Sequence, residues 1–168
     1  CAHGCVVRRA CQRRRIAFAA GRERVMNVVI NGSTVLTQQG EQRLDVRISN
    51  GKIVELSQSI KPAADDQLLD ASGCHVLPGF VDLHTHLREP GKEDSETIET
   101  GSRAGALGGY TALVAMPNTT PAQDSIPIID FVRAQGKRAG LVEVVPSGCI
   151  TIGRAGTALA PLADLARH

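Results

Sequence analysis

The sequence predicts an α/β fold: a small β-sandwich domain, in its N-terminal half, followed by the N-terminal part of a (β/α)8 TIM barrel left incomplete in this chain. Three observations predict it. Residues 27–77 are short apolar runs broken by Asn-Gly and Ser-Gly turns, the rhythm of a small all-β unit. After Pro78-Gly79 the pattern changes to strands alternating with helices, which implies parallel βαβ units. Only 89 residues remain from Phe80 to His168, whereas a complete barrel takes about 250. The expected divisions are residues 1–25, an upstream extension that is non-native or disordered; 26–79, the small β domain; and 80–168, the first three βα units.

Residues 1–25 show no helix or strand period. They hold seven arginines and one acid, Glu23. The segment lacks a secretory apolar core, and as a transit peptide it is short of hydroxyl residues. Met26 stands directly before the first strand, so the native start is expected there. Val28-Val29-Ile30 then leads to Asn31-Gly32 and Thr34-Val35-Leu36. Asn-Gly favours a two-residue hairpin turn, because both positions tolerate positive φ. Leu44, Val46 and Ile48 alternate with Asp45 and Arg47, the mark of a half-buried strand. Asn50-Gly51 turns into Ile53-Val54-Glu55-Leu56. Residues 62–67 form a polar loop, and two short strands flank Ser72-Gly73. A sandwich or meander of about 50 residues is too small to be comfortable alone.

Residues 80–86 form the first barrel strand. Ser95 is the expected N-cap of a helix running to about Leu107 and ending at Gly108-Gly109, with Glu96 and Glu99 in its first turn. Gly101, Ala104 and Gly105 allow that helix to approach a sheet closely. Residues 111–116 form the next strand. Asp124 or Ser125 caps a helix to about Gln135, stopped by Gly136. Residues 141–145 form a third strand, 146–156 a loop and 157–167 a third helix. The pattern stops unfinished at His168, so the chain reads as a fragment.

Composition narrows the function classes. Hydrophobic content is 42% and aromatic content 2%, so the core is aliphatic. No apolar run approaches the roughly 20 residues that span a bilayer; no membrane association is expected. Removing the first 25 residues from 19 basic and 17 acidic ones leaves 12 and 16, a net of −4. A basic nucleic-acid surface is therefore not expected. Cys1, Cys5 and Cys11 lie in the arginine-rich head, and only Cys74 and Cys149 in the body. The odd count, without a secretion signal, points to a reducing cytoplasmic location.

The chemistry concentrates in residues 78–91, P-G-F-V-D-L-H-T-H-L-R-E-P-G. Side chains at i and i+2 of an extended strand share a face. His84 and His86 therefore stand together, with Asp82 and, if the strand continues, Arg88. Two imidazoles at the end of a buried strand suit a divalent metal such as zinc. Asp82 either orients a histidine or accepts hydrogen bonds in the barrel core. Arg88 offers a planar fork matching a carboxylate; the competing reading is a surface arginine among Glu89, Glu93 and Asp94. Asn118, between prolines, either binds a substrate carboxylate or amide or merely forms a turn. Barrel function sits at the C-terminal strand ends, where all of these would converge. Cys74 reads as a core residue, His75 as a strand residue. Cys149 lacks an activating base. No Walker or Rossmann phosphate loop is present.

These motifs resemble the dihydroorotase branch of the amidohydrolase superfamily. The resemblance covers residues 26–168. Its sharpest part is D-L-H-T-H-L-R-E-P-G at 82–91, with E-T-G-S-R-A-G-A-L-G-G-Y-T at 99–111, M-P-N-T at 116–119 and P-S-G-C-I-T-I-G at 146–153. Arg88 after His-Leu, and Asn118 in M-P-N-T, resemble dihydroorotases rather than hydantoinases or allantoinases. The resemblance implies a metal-dependent hydrolase in which His84 and His86 bind Zn2+, one or two ions in a complete enzyme, and Arg88 and Asn118 bind the substrate carboxylate. It implies reversible cyclisation of N-carbamoyl-L-aspartate to L-dihydroorotate, a step of pyrimidine biosynthesis. It also implies a homo-oligomer or an association with aspartate transcarbamoylase. The family's remaining metal ligands and its general base come from later strands, so no catalytic acid–base residue is expected within this chain. The alternatives are another cyclic amidohydrolase, of hydantoinase, dihydropyrimidinase or allantoinase type, and a non-catalytic partner of aspartate transcarbamoylase.

Overall fold

The computed structural model describes residues 5–8 and 27–168. It divides into two compact units, Cys1–Pro78 and Gly79–His168. The expectation for residues 1–25 lies outside the described residues except at Cys5–Arg8, which forms strand β1. No strand is legible there in the sequence, because backbone pairing to a sheet edge requires no side-chain period.

The first unit is a mixed sheet of six strands: β1, β2 (Val28–Thr37), β3 (Gly40–Ser49), β4 (Lys52–Ser57), β5 (Gln67–Asp70) and β6 (His75–Pro78). Hydrogen bonds join them in the order β1-β6-β2-β3-β4, with β5 also on β2. Hydrogen bonds link all six into one sheet. Strand β2 runs through Asn31-Gly32 instead of turning there. Gly32 takes a φ of 72°, and the register with β3 shifts between Ile30 and Ser33. The positive φ that favours a hairpin turn here makes a bulge within one long strand. Its first half pairs in parallel with β5 and its second with β6. The true hairpin turns are at 38–39 and at Asn50-Gly51, where both residues have positive φ.

Asp45 departs from simple alternation: it is buried. Its Oδ1 accepts the Gly32 N–H at 2.8 Å and its Oδ2 the Ile60 N–H at 2.9 Å. The carboxylate thereby satisfies two backbone donors that the bulge and the loop before β5 leave unpaired. The unit's aliphatic core is Ile30, Val35, Val46, Ala71, Cys74 and Val76, so Cys74 is a core residue as expected.

The second unit contains β7 (Phe80–Thr85), α1 (Ile98–Gly108), β8 (Tyr110–Ala115), α2 (Ile126–Ala139), β9 (Glu143–Pro146) and the short α3 (Leu162–Arg167). The strands are parallel in the order β7-β8-β9. Their core is Leu87, Ile98, Leu113, Ala115, Val132, Val142 and Val144. The fold is α/β.

Helix boundaries follow local chemistry that the periodicity does not reveal. Thr97, not Ser95, caps α1, because its hydroxyl accepts the Thr100 N–H while the Thr100 hydroxyl accepts the Thr97 N–H in a reciprocal cap. Ser125 occupies the N-cap position of α2, as one of the two candidates. Gly136 does not stop α2, which continues to a left-handed Gly140. Gly136 is small for packing: an added Cβ would stand 2.6 Å from Val144 Cβ. In α3 only Leu162–Arg167 is helical, the residues before it forming a loop bridged between Thr151 and Leu159. Among the described residues no helix is long and apolar enough to cross a membrane.

Candidate active site

Three loops follow the C-terminal ends of the parallel strands, and backbone bonds tie them together. Met116 N–H donates to Thr85 O at 2.9 Å, Thr120 N–H to Pro90 O at 2.9 Å, and Ser147 N–H to Ala115 O at 3.0 Å. The first two loops approach so closely at Gly91 that only glycine fits: φ is +101°, and an added Cβ would overlap the Thr120 carbonyl oxygen. The R-E-P-G and M-P-N-T segments are thus one structural piece, although 24 residues lie between Gly91 and Met116.

His84 is the next-to-last residue of β7, and His86 opens the first loop. Their rings lie edge to face with centroids 5.1 Å apart. His84 is exposed and His86 half-buried. His86 Nδ1 stands 2.8 Å from Asn118 Oδ1. The contact engages Nδ1 and leaves Nε2 outside it. This is the arrangement that orients a ligating histidine. Asn118 does more than form a turn: it touches the imidazole directly and keeps its NH2 group for another partner.

Asp82 and Arg88 depart from the single shared face. Between Asp82 and Thr85, β7 advances three residues while β8 advances two, from Leu113 to Ala115. The irregularity breaks the alternation. Asp82 Oδ1 accepts the His84 backbone N–H at 3.0 Å, and among the described residues it hydrogen-bonds to neither imidazole. Asp82 therefore shapes the strand end and does not hold a histidine ring. Beyond Thr85 the strand does not continue, and Arg88 takes a left-handed φ of 64°. Such a conformation is costly for a non-glycine residue and concentrates at functional sites.

Two of the three acids that would make Arg88 an ordinary surface arginine are engaged elsewhere. Glu89 accepts the Ile98 N–H at 2.7 Å. Glu93 accepts the Gly91 N–H at 2.8 Å, and this bond, with its own backbone N–H, holds its carboxyl below the usual range. Among the described residues the half-buried Arg88 guanidinium has no hydrogen-bond or ion-pair partner. It is free to receive a carboxylate.

Two adjacent imidazoles fit a borderline-soft divalent cation. Among the described residues no cluster of three or more His, Cys, Asp or Glu could hold a metal ion, so the donor set is half of one. Cys149 is buried. Burial, then the Asp124 charge, pushes its thiol up, which argues against a nucleophile. Sequence reasoning missed Gln123, which is wholly buried beneath the second loop. A glutamine just before a helix cap carries no periodic or motif signal, and its role depends on burial that only the packed loops create.

Comparison with known proteins identifies the family. A family described as dihydro-orotase-like matches residues 73–167. The chain is 48% identical over 135 residues to a dihydroorotase of Mycobacterium tuberculosis, covering 80% of this chain and 31% of that protein. It is 44% identical over 142 residues to a dihydroorotase of Pelobacter propionicus, covering 83% and 34%. The chain thus spans about a third of the length of the curated relatives it matches. Among solved structures, L-hydantoinase from Arthrobacter aurescens superposes with a TM-score of 0.64 at 24% identity, covering 75% of this chain and 28% of that one, a likeness of fold. With the family match extending over more than half of its residues, the chain belongs to the dihydroorotase-like family.

Proposed function

We propose that this chain supplies the metal-binding and carboxylate-binding first third of a dihydroorotase. In this reading Gly79–His168 is the opening of a (β/α)8 barrel, and the sheet of the first unit is part of a β-sandwich. The observation that carries the reading is the His86–Asn118 contact at 2.8 Å. It joins the H-x-H strand end to the M-P-N-T loop and leaves one imidazole nitrogen free for a metal.

His84 and His86 would hold Zn2+, which supplies Lewis acidity when bound. The rest is positioning. Arg88 would grip the carboxylate of L-dihydroorotate with its planar fork, and Asn118 would donate its free NH2 group to the same carboxylate. Held at that end, the cyclic amide carbonyl faces the two histidines. Hydrolysis adds water across the ring C–N bond to give N-carbamoyl-L-aspartate, and cyclisation returns the water. A small-molecule substrate would bind at the C-terminal strand ends, where barrel enzymes carry their sites. A cytoplasmic location and a homo-oligomer or an aspartate transcarbamoylase complex remain part of the proposal. A hydantoinase reading is weaker, since the hydantoinase likeness is 24% against 44% and 48% for the dihydroorotases.

The experiment is a chimera in which this chain replaces the matching third of the Mycobacterium tuberculosis relative. It is expected to hydrolyse dihydroorotate and to lose that activity on His84→Ala or Arg88→Ala. Hydrolysis of hydantoin in place of dihydroorotate, or indifference to Arg88→Ala, would refute the reading.

A further inference from the structure

We propose that Asn50 is a self-modification site: attack by the Gly51 nitrogen converts its side-chain amide to aspartate and isoaspartate, while Asp45 shields the same dipeptide at Asn31-Gly32. Asn-Gly is the pair in which this attack is least hindered, because glycine has no side chain to cover its own nitrogen. The Gly51 nitrogen gives up its proton to hydroxide and bonds to Cγ of Asn50. The Cγ–Nδ2 bond breaks, and ammonia leaves with a proton from water, which restores the hydroxide. Water then opens the cyclic imide at one carbonyl or the other, giving aspartate or isoaspartate. In sum, an amide and a water become an acid and an ammonia, and nothing is oxidised or reduced.

The chain holds this dipeptide twice, and the fold treats the two differently. Asn50 and Gly51 are exposed and turn the chain between β3 and β4, which pair Ser49 with Lys52 across the turn. In a two-residue turn the flanking residues make the closing hydrogen bonds, and among the described residues the Gly51 N–H has no hydrogen-bond partner. An added Cβ at Gly51 would meet nothing within 4 Å, so hydroxide reaches the nitrogen unhindered. Asn31 and Gly32 lie half-buried inside β2. The Gly32 N–H donates to Asp45 Oδ1 at 2.8 Å, so a buried carboxylate holds the proton that must leave. The Asn31 carbonyl accepts the Ala71 N–H at 2.9 Å, and Asn31 pairs with Asp70 of β5. Ser72 Oγ would stand 2.6 Å from a Cβ on Gly32, which closes the space around it. Imide formation there requires the Asp45 bond and the strand pairing to break together, whereas an exposed turn opens locally at far lower cost. Either product adds a negative charge at residue 50. Isoaspartate also lengthens the backbone of a turn whose length sets the β3–β4 register.

The test is to age the 168-residue chain at mildly alkaline pH and to map its peptides by mass spectrometry, scoring acid and isoaspartate at each asparagine. A hydrogen bond to a charged group is worth at least the ~1.4 kcal/mol that makes a tenfold difference. Asn50 is therefore expected to convert at least about tenfold faster than Asn31. In urea, where both pairs lie in open chain, the two rates should become similar. Asp45→Ala should speed Asn31 and leave Asn50 unchanged. Val46→Ala is the control: it leaves a cavity at a wholly buried site in the same strand without removing the Gly32 acceptor, and it should speed Asn31 less. Asp45→Asn, which offers a neutral acceptor, should narrow the gap part-way and serves if Asp45→Ala does not fold. Equal rates at the two sites in the folded chain would overturn the proposal. So would a gap that persists in urea, or a Val46→Ala variant that speeds Asn31 as much as the Asp45 variants do. None of these readouts involves metal or turnover, so the dihydroorotase reading, scored by the chimera, is untouched by either result.

Discussion

Gly91→Ala tests whether the first two loops form one piece. Two costs are separable at this residue. Its φ of +101° burdens any side chain with about 1–3 kcal/mol of backbone strain. In addition, the new Cβ would overlap Thr120 O and lie 2.7 Å from Thr120 Cβ and 3.0 Å from its carbonyl carbon. Backbone cannot swing aside as a flexible side chain can, so overpacking adds about 1–3 kcal/mol. Gly140→Ala is the control within the same unit. Its φ is +62°, and an added Cβ would meet nothing closer than Lys137 O at 3.6 Å, so it carries strain alone. Gly91→Ala is expected to cost about 2–6 kcal/mol in total, and Gly140→Ala about 1–3. For a unit of this size each kcal/mol shifts the melting temperature by about 4–8 °C. Thermal unfolding followed by circular dichroism reads the difference. The loop effect is read separately: pushing Thr120 away strains its 2.9 Å bond to Pro90 O, so the His86–Asn118 contact should loosen. Equal melting temperatures for the two variants would refute the reasoning.

Other consequences follow from the same contacts. Asp45→Ala strands the Gly32 and Ile60 N–H groups and should cost about 2–6 kcal/mol, whereas Asp45→Asn, which keeps one acceptor, should cost about half; urea denaturation separates the two. The first unit should lose stability in acid. Asp66 is held below its ordinary value of 3.8 by the Ala63 N–H and then by Arg47, and Asp70 by the Ser72 hydroxyl and N–H. A depressed carboxyl contributes stability that is present above the unfolded value and lost as pH falls through the folded one. The melting temperature should therefore hold from neutrality to about pH 4 and fall below it; a flat profile down to pH 2 would contradict these bonds. The 168-residue chain by itself, with two imidazole ligands where a catalytic zinc takes three protein ligands, should bind zinc weakly and form no dihydroorotate. Turnover above a His84→Ala control would show that the two histidines suffice.

Much of the site is legible in the sequence because its chemistry is local. His84 and His86 are two residues apart, and spacing alone sets imidazoles side by side. The α/β order is legible from the change of period at Pro78-Gly79. Less legible is everything that depends on where a loop goes next. Asn31-Gly32 carries the same positive-φ signal as Asn50-Gly51. One becomes a bulge and the other a turn, because Asp45 is present to accept the Gly32 N–H. Gly136 signals a helix stop by residue type, yet its lack of a Cβ serves the approach of Val144.

The sequence by itself determined the strand–helix rhythm, the paired histidines, and the residue types able to meet a carboxylate. Only the tertiary structure decided which of those residues meet. Asp82 turns to its own strand end because an irregularity breaks the i, i+2 face. Arg88 leaves the strand in a left-handed conformation with its guanidinium unpaired among the described residues. Asn118 and His86, 32 residues apart, come within hydrogen-bonding distance because Gly91 lets two backbones touch. Periodicity reports what neighbours along the chain share; hydrogen bonds between loops depend on backbone paths that no short window of sequence contains.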